Sequence, residues 1–304
     1  MITQPQRRFL YHREVVKATN LIQMRIGLIN IEPKIINTAY MQISEYHKQQ
    51  GDTIEWAKPA IYPRYDKLYC SSLFDFTNKS RIPKRAIRGG TGFDLVTQLP
   101  EEIDLCQYDY SLYPDCDHSI VWLSRGCIRN CPFCIVRQKE GMITDAIPKK
   151  LNPNGQYIKI QDNNFFANPD WFFNYLWLKN TEQPIQFASG IDLRILNEKQ
   201  LRALTDLKIF RRIHTAWDNP KDNLTHKLKL MTQFIKPYRI TCYILIGYWS
   251  TPKQDLYRVE TLRTMGIDPY VMPYDKADPY QKRFARWVNA KPIFKTVKWE
   301  KYSA

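Results

Sequence analysis

Between residues 118 and 288 the chain repeats one pattern six times: a short apolar run, a polar or glycine-bearing motif, then a stretch with helical periodicity. This alternation limits the fold more than any other feature, because parallel strands joined by crossover helices form sheets covered by those helices. The apolar runs are 118–123, 157–161, 185–188, a segment opening at 210–214, 240–246 and 268–272. Helices are expected over 170–179, behind Asn168 as N-cap and Pro169 as first-turn proline, and after Asn197, with Leu201, Leu204 and Leu207 on one face. Three more are expected over 222–235, from the capping box Thr251/Gln254 to Gly266, and from Pro279 to about Val288. The expected fold class is α/β, with a partial (βα)6 TIM-like barrel over 118–288.

A smaller unit precedes it. Residues 24–31 read as a buried first strand, and Ile36, Ala39, Tyr40, Ile43 and Tyr46 recur at helical spacing up to Gly51. Strand candidates follow at 53–56 and 67–71, and Ala86-Ile87 leads into Gly89-Gly90-Thr91-Gly92. That cluster reads as a tight turn at a sheet edge, since it is not a Gly-x-Gly-x-x-Gly following a first strand. The expected order is therefore an N-terminal extension (1–24), a small Rossmann-like parallel α/β domain (25–106), a linker (107–117), the barrel (118–288) and a basic C-terminal tail (289–304). The extension lacks a hydrophobic signal core, and Met24 stands at the head of the first strand as an alternative start.

The first barrel strand runs into Ser124-Arg125-Gly126-Cys127-Ile128-Arg129-Asn130-Cys131-Pro132-Phe133-Cys134. The Cys-x3-Cys-x2-Cys spacing lets three thiolates hold three irons of a 4Fe–4S cube and leaves the fourth iron without a protein ligand. Ferredoxin runs use four cysteines and close every iron, so an open iron points to reaction rather than electron storage. Zinc is the competing reading, with Cys116 and His118 close upstream, but the second Cys or His pair usual in zinc sites is missing. Gly126 allows a tight turn and Pro132 stiffens the loop. Cys70, Cys106, Cys116 and Cys242 read as ordinary core or loop thiols.

The cysteine motif and its surroundings resemble the radical S-adenosylmethionine (radical SAM) superfamily over roughly residues 25–288. The glycine cluster, Asp162-Asn163-Asn164-Phe165 and Gly190-Ile191-Asp192-Leu193-Arg194 are most similar to a bacterial and phage subgroup with a cobalamin-binding-like N-terminal domain. The resemblance implies that Cys127, Cys131 and Cys134 ligate the cluster and that S-adenosylmethionine chelates the open iron. Reductive cleavage would then give a 5′-deoxyadenosyl radical, with electrons from a flavodoxin- or ferredoxin-type reductant. It places Phe133 near the adenine; Asp162, Asn163 and Asn164 at the amino group; and the Arg194 fork, with Gly190 and Asp192 in the same motif, at the methionine carboxylate, a buried Asp192–Arg194 pair being the plain structural alternative. Asp218 falls to the ribose hydroxyls, Gly247 to the adenosyl group, and Met272 with Tyr274 to the adenine or substrate. The usual Gly-Gly-Glu is absent at the second strand. Asp-x-His-x-x-Gly, the cobalamin-ligating signature, is also missing, which disfavours cobalamin as a second cofactor. A methyltransferase or methylthiotransferase-like activity on RNA is the alternative within the superfamily.

The charge balance, 45 basic against 30 acidic residues for a net +15, favours a polyanionic partner such as a nucleotide or nucleic acid. Lys282, Arg283, Arg286, Lys291, Lys295, Lys298 and Lys301 alternate with Phe284, Trp287, Phe294 and Trp299. Such a stripe suits phosphate neutralisation with base stacking, or else is a plain solvated surface. A basic nucleic-acid-binding protein with a structural metal is thus the reading from outside enzymology. No run of 18 apolar residues exists, so no membrane span is expected. An oxygen-sensitive cluster and the absence of a disulfide framework point to the cytoplasm.

Overall fold

The computed structural model describes residues 23–303, so all but the last two residues of the expected N-terminal extension lie outside the described residues. The chain divides into two compact units, between Asp109 and Tyr110. In the first, β1 (Arg25–Leu28), α1 (Thr38–Gln49), β2 (Thr53–Trp56), β3 (Lys67–Ser71), β4 (Ile87–Gly89) and the short α2 (Glu101–Asp104) follow in sequence. The four strands pair in parallel in the order β2-β1-β3-β4. Ile26 and Leu28 are fully buried, and Asn37 caps α1 by accepting a hydrogen bond from the Ala39 amide at 3.0 Å. Gly90 (φ +94°) and Gly92 make the glycine turn possible. A Cβ on Gly90 would come within 2.5 Å of the Ser72 carbonyl oxygen, and one on Gly92 within 2.4 Å of that of Phe74. The cluster therefore serves close packing of two loops, as the turn reading expects.

In the second unit, β5 (His118–Val121) leads into a two-stranded antiparallel pair, β6 (Ser124–Arg125) with β7 (Thr144–Asp145), around α3 (Val136–Glu140). Then come β8 (Tyr157–Ile160), α4 (Trp171–Asn180), β9 (Ile185–Phe187), α5 (Glu198–Asp206), β10 (Ile213–Ala216), α6 (Thr225–Phe234), β11 (Ile240–Ile246), α7 (Pro252–Thr264), β12 (Asp268–Pro273), α8 (Pro279–Asn289) and α9 (Lys291–Thr296). The long strands form two parallel sheets, β5-β8-β9 and β10-β11-β12. Isolated parallel bridges, Ile185 with Ile209 and Ile191 with Thr215, link one sheet to the next. The fold is α/β with parallel sheets.

Alternation along each strand separates two faces. Cys242, Ile244 and Ile246 of β11 are all 0% exposed and join Ile158, Ile160, Ile185, Phe187 and Ile213 in one core. The apolar sides of the helices close it, through Leu201 and Leu204, Leu228 and Met231, Val259 and Leu262. At about 25 cal/mol per Å² of apolar surface, each such side chain contributes on the order of 2 kcal/mol, which outweighs the weak intrinsic preferences of short strands. The alternate residues (Tyr157, Lys159, Gln186, His214, Tyr243, Tyr270) take no part in this core.

Two local expectations change. Asp170, not Asn168, is the N-cap of α4, and Asn168 instead accepts from the Asp170 amide at 2.8 Å, a turn one step ahead of the helix. The C-terminal aromatic residues are not a stacking surface: Phe284 and Trp287 are 0% exposed, Phe294 is buried, and Trp299 and Tyr302 pack on the same core. Arg283 of the stripe lies 4.8 Å over the Trp299 ring, and Arg263 of α7 lies 4.0 Å over that of Phe294, so cations from two segments brace the aromatic residues. No helix among the described residues is long and apolar enough to cross a membrane.

Candidate functional site

Every long strand of the second unit runs in the same direction through its sheet, so the segments that follow the strands share one edge. The cysteine loop follows β5, Asp162–Asn164 follow β8, Gly190–Arg194 follow β9, Asp218 follows β10, Gly247 follows β11 and Tyr274 follows β12.

Cys127, Cys131 and Cys134 are free thiols. Cys127 and Cys131 are half-buried and Cys134 is exposed, whereas Cys70, Cys106, Cys116 and Cys242 are buried. Gly126 opens the loop at φ +77°, and a Cβ there would sit 2.1 Å from the Met142 carbonyl oxygen, so the loop's two ends close only around glycine. The Cys127 amide donates to the Gly141 carbonyl at 3.2 Å and the Cys134 amide to the Cys131 carbonyl at 2.9 Å. Glu140, which the sequence did not single out, staples this turn. It accepts from Arg125 (2.7 Å), the Gly126 amide (3.0 Å) and Asn163 Nδ2 (2.7 Å).

Asp192 is the centre of a second network. Its carboxylate accepts from Arg129 Nε at 3.0 Å, Arg194 Nε at 2.7 Å and Asn164 Nδ2 at 3.1 Å. Burial raises its pKa, but these two guanidinium groups outweigh that and hold the carboxyl below its ordinary value. Arg194 also reaches the Cys131 thiol. Burial raises that thiol's pKa, Arg194 pulls it down, and Cys134 and Cys127 push it up, with a net rise. The Arg129 amide lies 3.4 Å from the Cys127 sulfur and Asn164 Nδ2 3.8 Å from it. Asn164 Oδ1 is buried with no partner among the described residues. Three soft sulfur donors, two guanidinium groups and one unsatisfied amide oxygen therefore meet on one strand edge.

The other sequence-selected residues divide. Asp162 turns inward: it is 2% exposed and accepts from the Leu123 amide (2.8 Å) and the Ser124 hydroxyl (2.7 Å), tying the start of the cysteine loop to β8. Burial pushes its pKa up to about 6. Its folded pKa lies above the unfolded value, so protonation favours the fold, and this contribution is lost as pH rises through about 6. At 1.36 kcal/mol per pKa unit, Asp162 is expected to cost about 2–3 kcal/mol between pH 4 and 7. Urea unfolding across that range should show the slope in the wild type and its loss in Asp162→Asn; equal slopes would refute this role.

Phe133 packs edge-on against Tyr248 (5.6 Å between ring centres) and Trp249 (5.4 Å), and Tyr248 meets Tyr274 at 4.7 Å. An aromatic corner thus joins the cysteine loop to the residues after Gly247 and beside Met272, which is half-buried on β12. Asp218 accepts from the Leu245 amide at 3.1 Å and caps no helix; burial raises its pKa, and Arg258 and Arg194 lower it less. Gly190 packs with its Cα against β10, and the next amide, Ile191, donates to the His214 carbonyl at 2.8 Å.

Cys116, the upstream zinc candidate, is buried and donates to the His118 carbonyl at 3.1 Å, while His118 Nδ1 pairs with Asp117 at 2.8 Å. Among the described residues no three His, Cys, Asp or Glu side chains converge, as they stand, on a common metal position. Sequence reasoning also missed Arg129 and the buried pair Asp255–Arg258. Arg129 lies inside the cysteine spacing itself, and the pair had its signal in an Asp and Arg three apart on a helix. Compared with known proteins, the chain matches no protein-family model and no curated protein significantly.

Proposed function

We propose that this chain is a radical SAM enzyme that reductively cleaves S-adenosylmethionine at a 4Fe–4S cluster and acts on a nucleotide or nucleic-acid substrate. The observation that carries the reading is the set of three free thiols, Cys127, Cys131 and Cys134, on a loop at the strand edge where Asp192 and two arginines gather. The two sheets follow each other in chain order and are bridged between β9 and β10, which supports their reading as one curved, partial (βα)6 TIM-like barrel. The smaller unit, with four parallel strands, suits a Rossmann-like domain.

The donor set fits an iron–sulfur cube: it is all sulfur, three in number, with no histidine or carboxylate between Cys127 and Cys134 to complete a zinc tetrahedron, and the Glu140 carboxylate farther along is taken up by Arg125, the Gly126 amide and Asn163. When bound, the cluster would supply one electron to the sulfonium of S-adenosylmethionine, giving methionine and a 5′-deoxyadenosyl radical that removes a hydrogen atom from the substrate. The chain's own residues prepare that event. Arg194, which Asp192 holds together with Arg129, sets positive charge beside Cys131 and offsets part of the rise that burial imposes on its thiol. The unpartnered Asn164 Oδ1 is an acceptor suited to an ammonium group. The Phe133–Tyr248–Trp249 corner, its rings set edge to face, offers apolar ring surface to an adenine.

Anaerobic reconstitution with iron and sulfide, followed by reduction in the presence of S-adenosylmethionine, tests the proposal. A brown iron–sulfide chromophore and release of 5′-deoxyadenosine are expected. Protein that takes up zinc alone, or forms the chromophore without cleaving S-adenosylmethionine, overturns it.

A further inference from the structure

The face of the parallel strands opposite the helix-packed core carries an unusual set of side chains for a sheet interior. Tyr157 and Lys159 of β8, Gln186 of β9, His214 of β10, Tyr243 of β11 and Tyr270 of β12 alternate with the core residues of their strands. Lys159 is the register partner of Gln186, and Tyr243 that of Tyr270. Ring contacts run across the strands: His214 to Tyr243 at 5.4 Å, Tyr243 to Tyr270 at 5.5 Å, and Tyr157 stacked on Phe210 at 4.0 Å.

The polar atoms here have few protein partners. His214 Nδ1 is buried without a hydrogen bond. Among the described residues Lys159 makes no ion pair; Arg211, just ahead of β10 and 5.0 Å over the Phe210 ring, is exposed and acts on the Asp117 carboxylate without closing an ion pair with it. Buried polar groups are normally satisfied, and a half-buried lysine normally finds a counter-charge. A sheet face outside the main core that gathers rings, an unpaired lysine and an orphaned imidazole nitrogen is matched by a ligand with a flat heterocycle and an anion.

We propose that this face binds a nucleotide unit, its base packed among His214, Tyr243 and Tyr270 and its phosphate drawn to Lys159 and Arg211. The assignment rests on the proposed function for the reaction carried out, but the binding it describes needs no cluster. Base–aromatic stacking and a charge-assisted contact to phosphate both add to affinity, and both tolerate any base. The full chain, thiols reduced and no metal added, should therefore bind uridine 5′-monophosphate or a fluorescein-labelled ten-residue oligouridylate in anisotropy and competition measurements.

Lys159→Met and Tyr243→Leu should each weaken binding about ten-fold or more, and so should Gln186→Glu, which sets a negative charge opposite Lys159. Lys229→Ala, on the exposed side of α6, should leave affinity within about two-fold, with circular dichroism reporting an intact fold throughout. Binding of the free nucleotide identifies a small-molecule substrate; binding of the oligomer alone identifies a base within a strand. Equal losses at Lys159 and Lys229 would reduce the effect to net charge, and no binding of either probe would also overturn the site. Neither result depends on whether 5′-deoxyadenosine forms, so this site and the radical chemistry stand or fall separately.

Discussion

Replacing Cys131 with alanine is expected to cut release of 5′-deoxyadenosine by about three orders of magnitude, roughly 4 kcal/mol at 1.36 kcal/mol per decade. With two thiolates in place of three, the cluster has too few anchors, and iron per chain should fall with the activity. Cys127→Ala and Cys134→Ala should behave alike, since the three sulfurs belong to one loop. Cys106→Ser is the informative control, because that thiol is buried in the other unit and donates to the Glu102 carbonyl at 3.2 Å. Iron and activity should survive there. Iron quantified after anaerobic gel filtration, alongside product chromatography, makes the comparison. Retention of both iron and turnover in Cys131→Ala would refute the loop as the cluster site.

Arg258→Met should be the most destabilising single change in the larger unit away from the thiols. Arg258 and Asp255 are each about 1% exposed at the side chain and pair at 2.7 Å. The same guanidinium donates to the carbonyls of Trp217 (2.7 Å), Asp218 (2.9 Å) and Leu245 (3.0 Å). It thereby ties the C-terminal end of β10 to that of β11 and to α7. Removing it leaves Asp255 buried and uncompensated, a loss of about 3–5 kcal/mol. Tyr280, which donates to the other Asp255 oxygen at 3.1 Å, restores only part of it. Chemical denaturation should show the loss as a lowered midpoint. The double variant Arg258→Met/Asp255→Leu should recover much of it, because no charge is then left in the core. A single variant as stable as the wild type would show that the carbonyls at the strand ends find other donors.

Much of this architecture could be read from residues alone, and the reasons are local. Asn197 with Gln200 and Thr251 with Gln254 form the capping boxes that their spacing announces. The six apolar runs become β5 and β8–β12 because their alternate residues have helices to pack against. The choice of hydrogen-bond partner was not legible. Asp162 and Asp192 look alike in sequence, each a strand-end acid. One faces inward to Ser124 and Leu123, while the other gathers two arginines from different loops. Likewise Trp287 and Phe294 sit among lysines and arginines in sequence, and only the packing of α8 and α9 shows that they face the core. For Arg194 the motif offers either a ligand carboxylate or Asp192, and the fork meets Asp192 at 2.7 and 3.2 Å; what the motif does not show is that Arg129 shares that carboxylate. Such choices depend on which loops lie side by side, which no single segment encodes.

One carboxylate, that of Asp192, serves as the common acceptor for Arg129, Arg194 and Asn164. These residues cannot contribute independently. Cutting any one strand of the knot frees the others to rearrange, so double-mutant cycles among them should close with sizeable interaction energies. A shift of electron density on the Cys131 sulfur would likewise be transmitted through Arg194 to the same hub, and from there to the amide that borders Cys127.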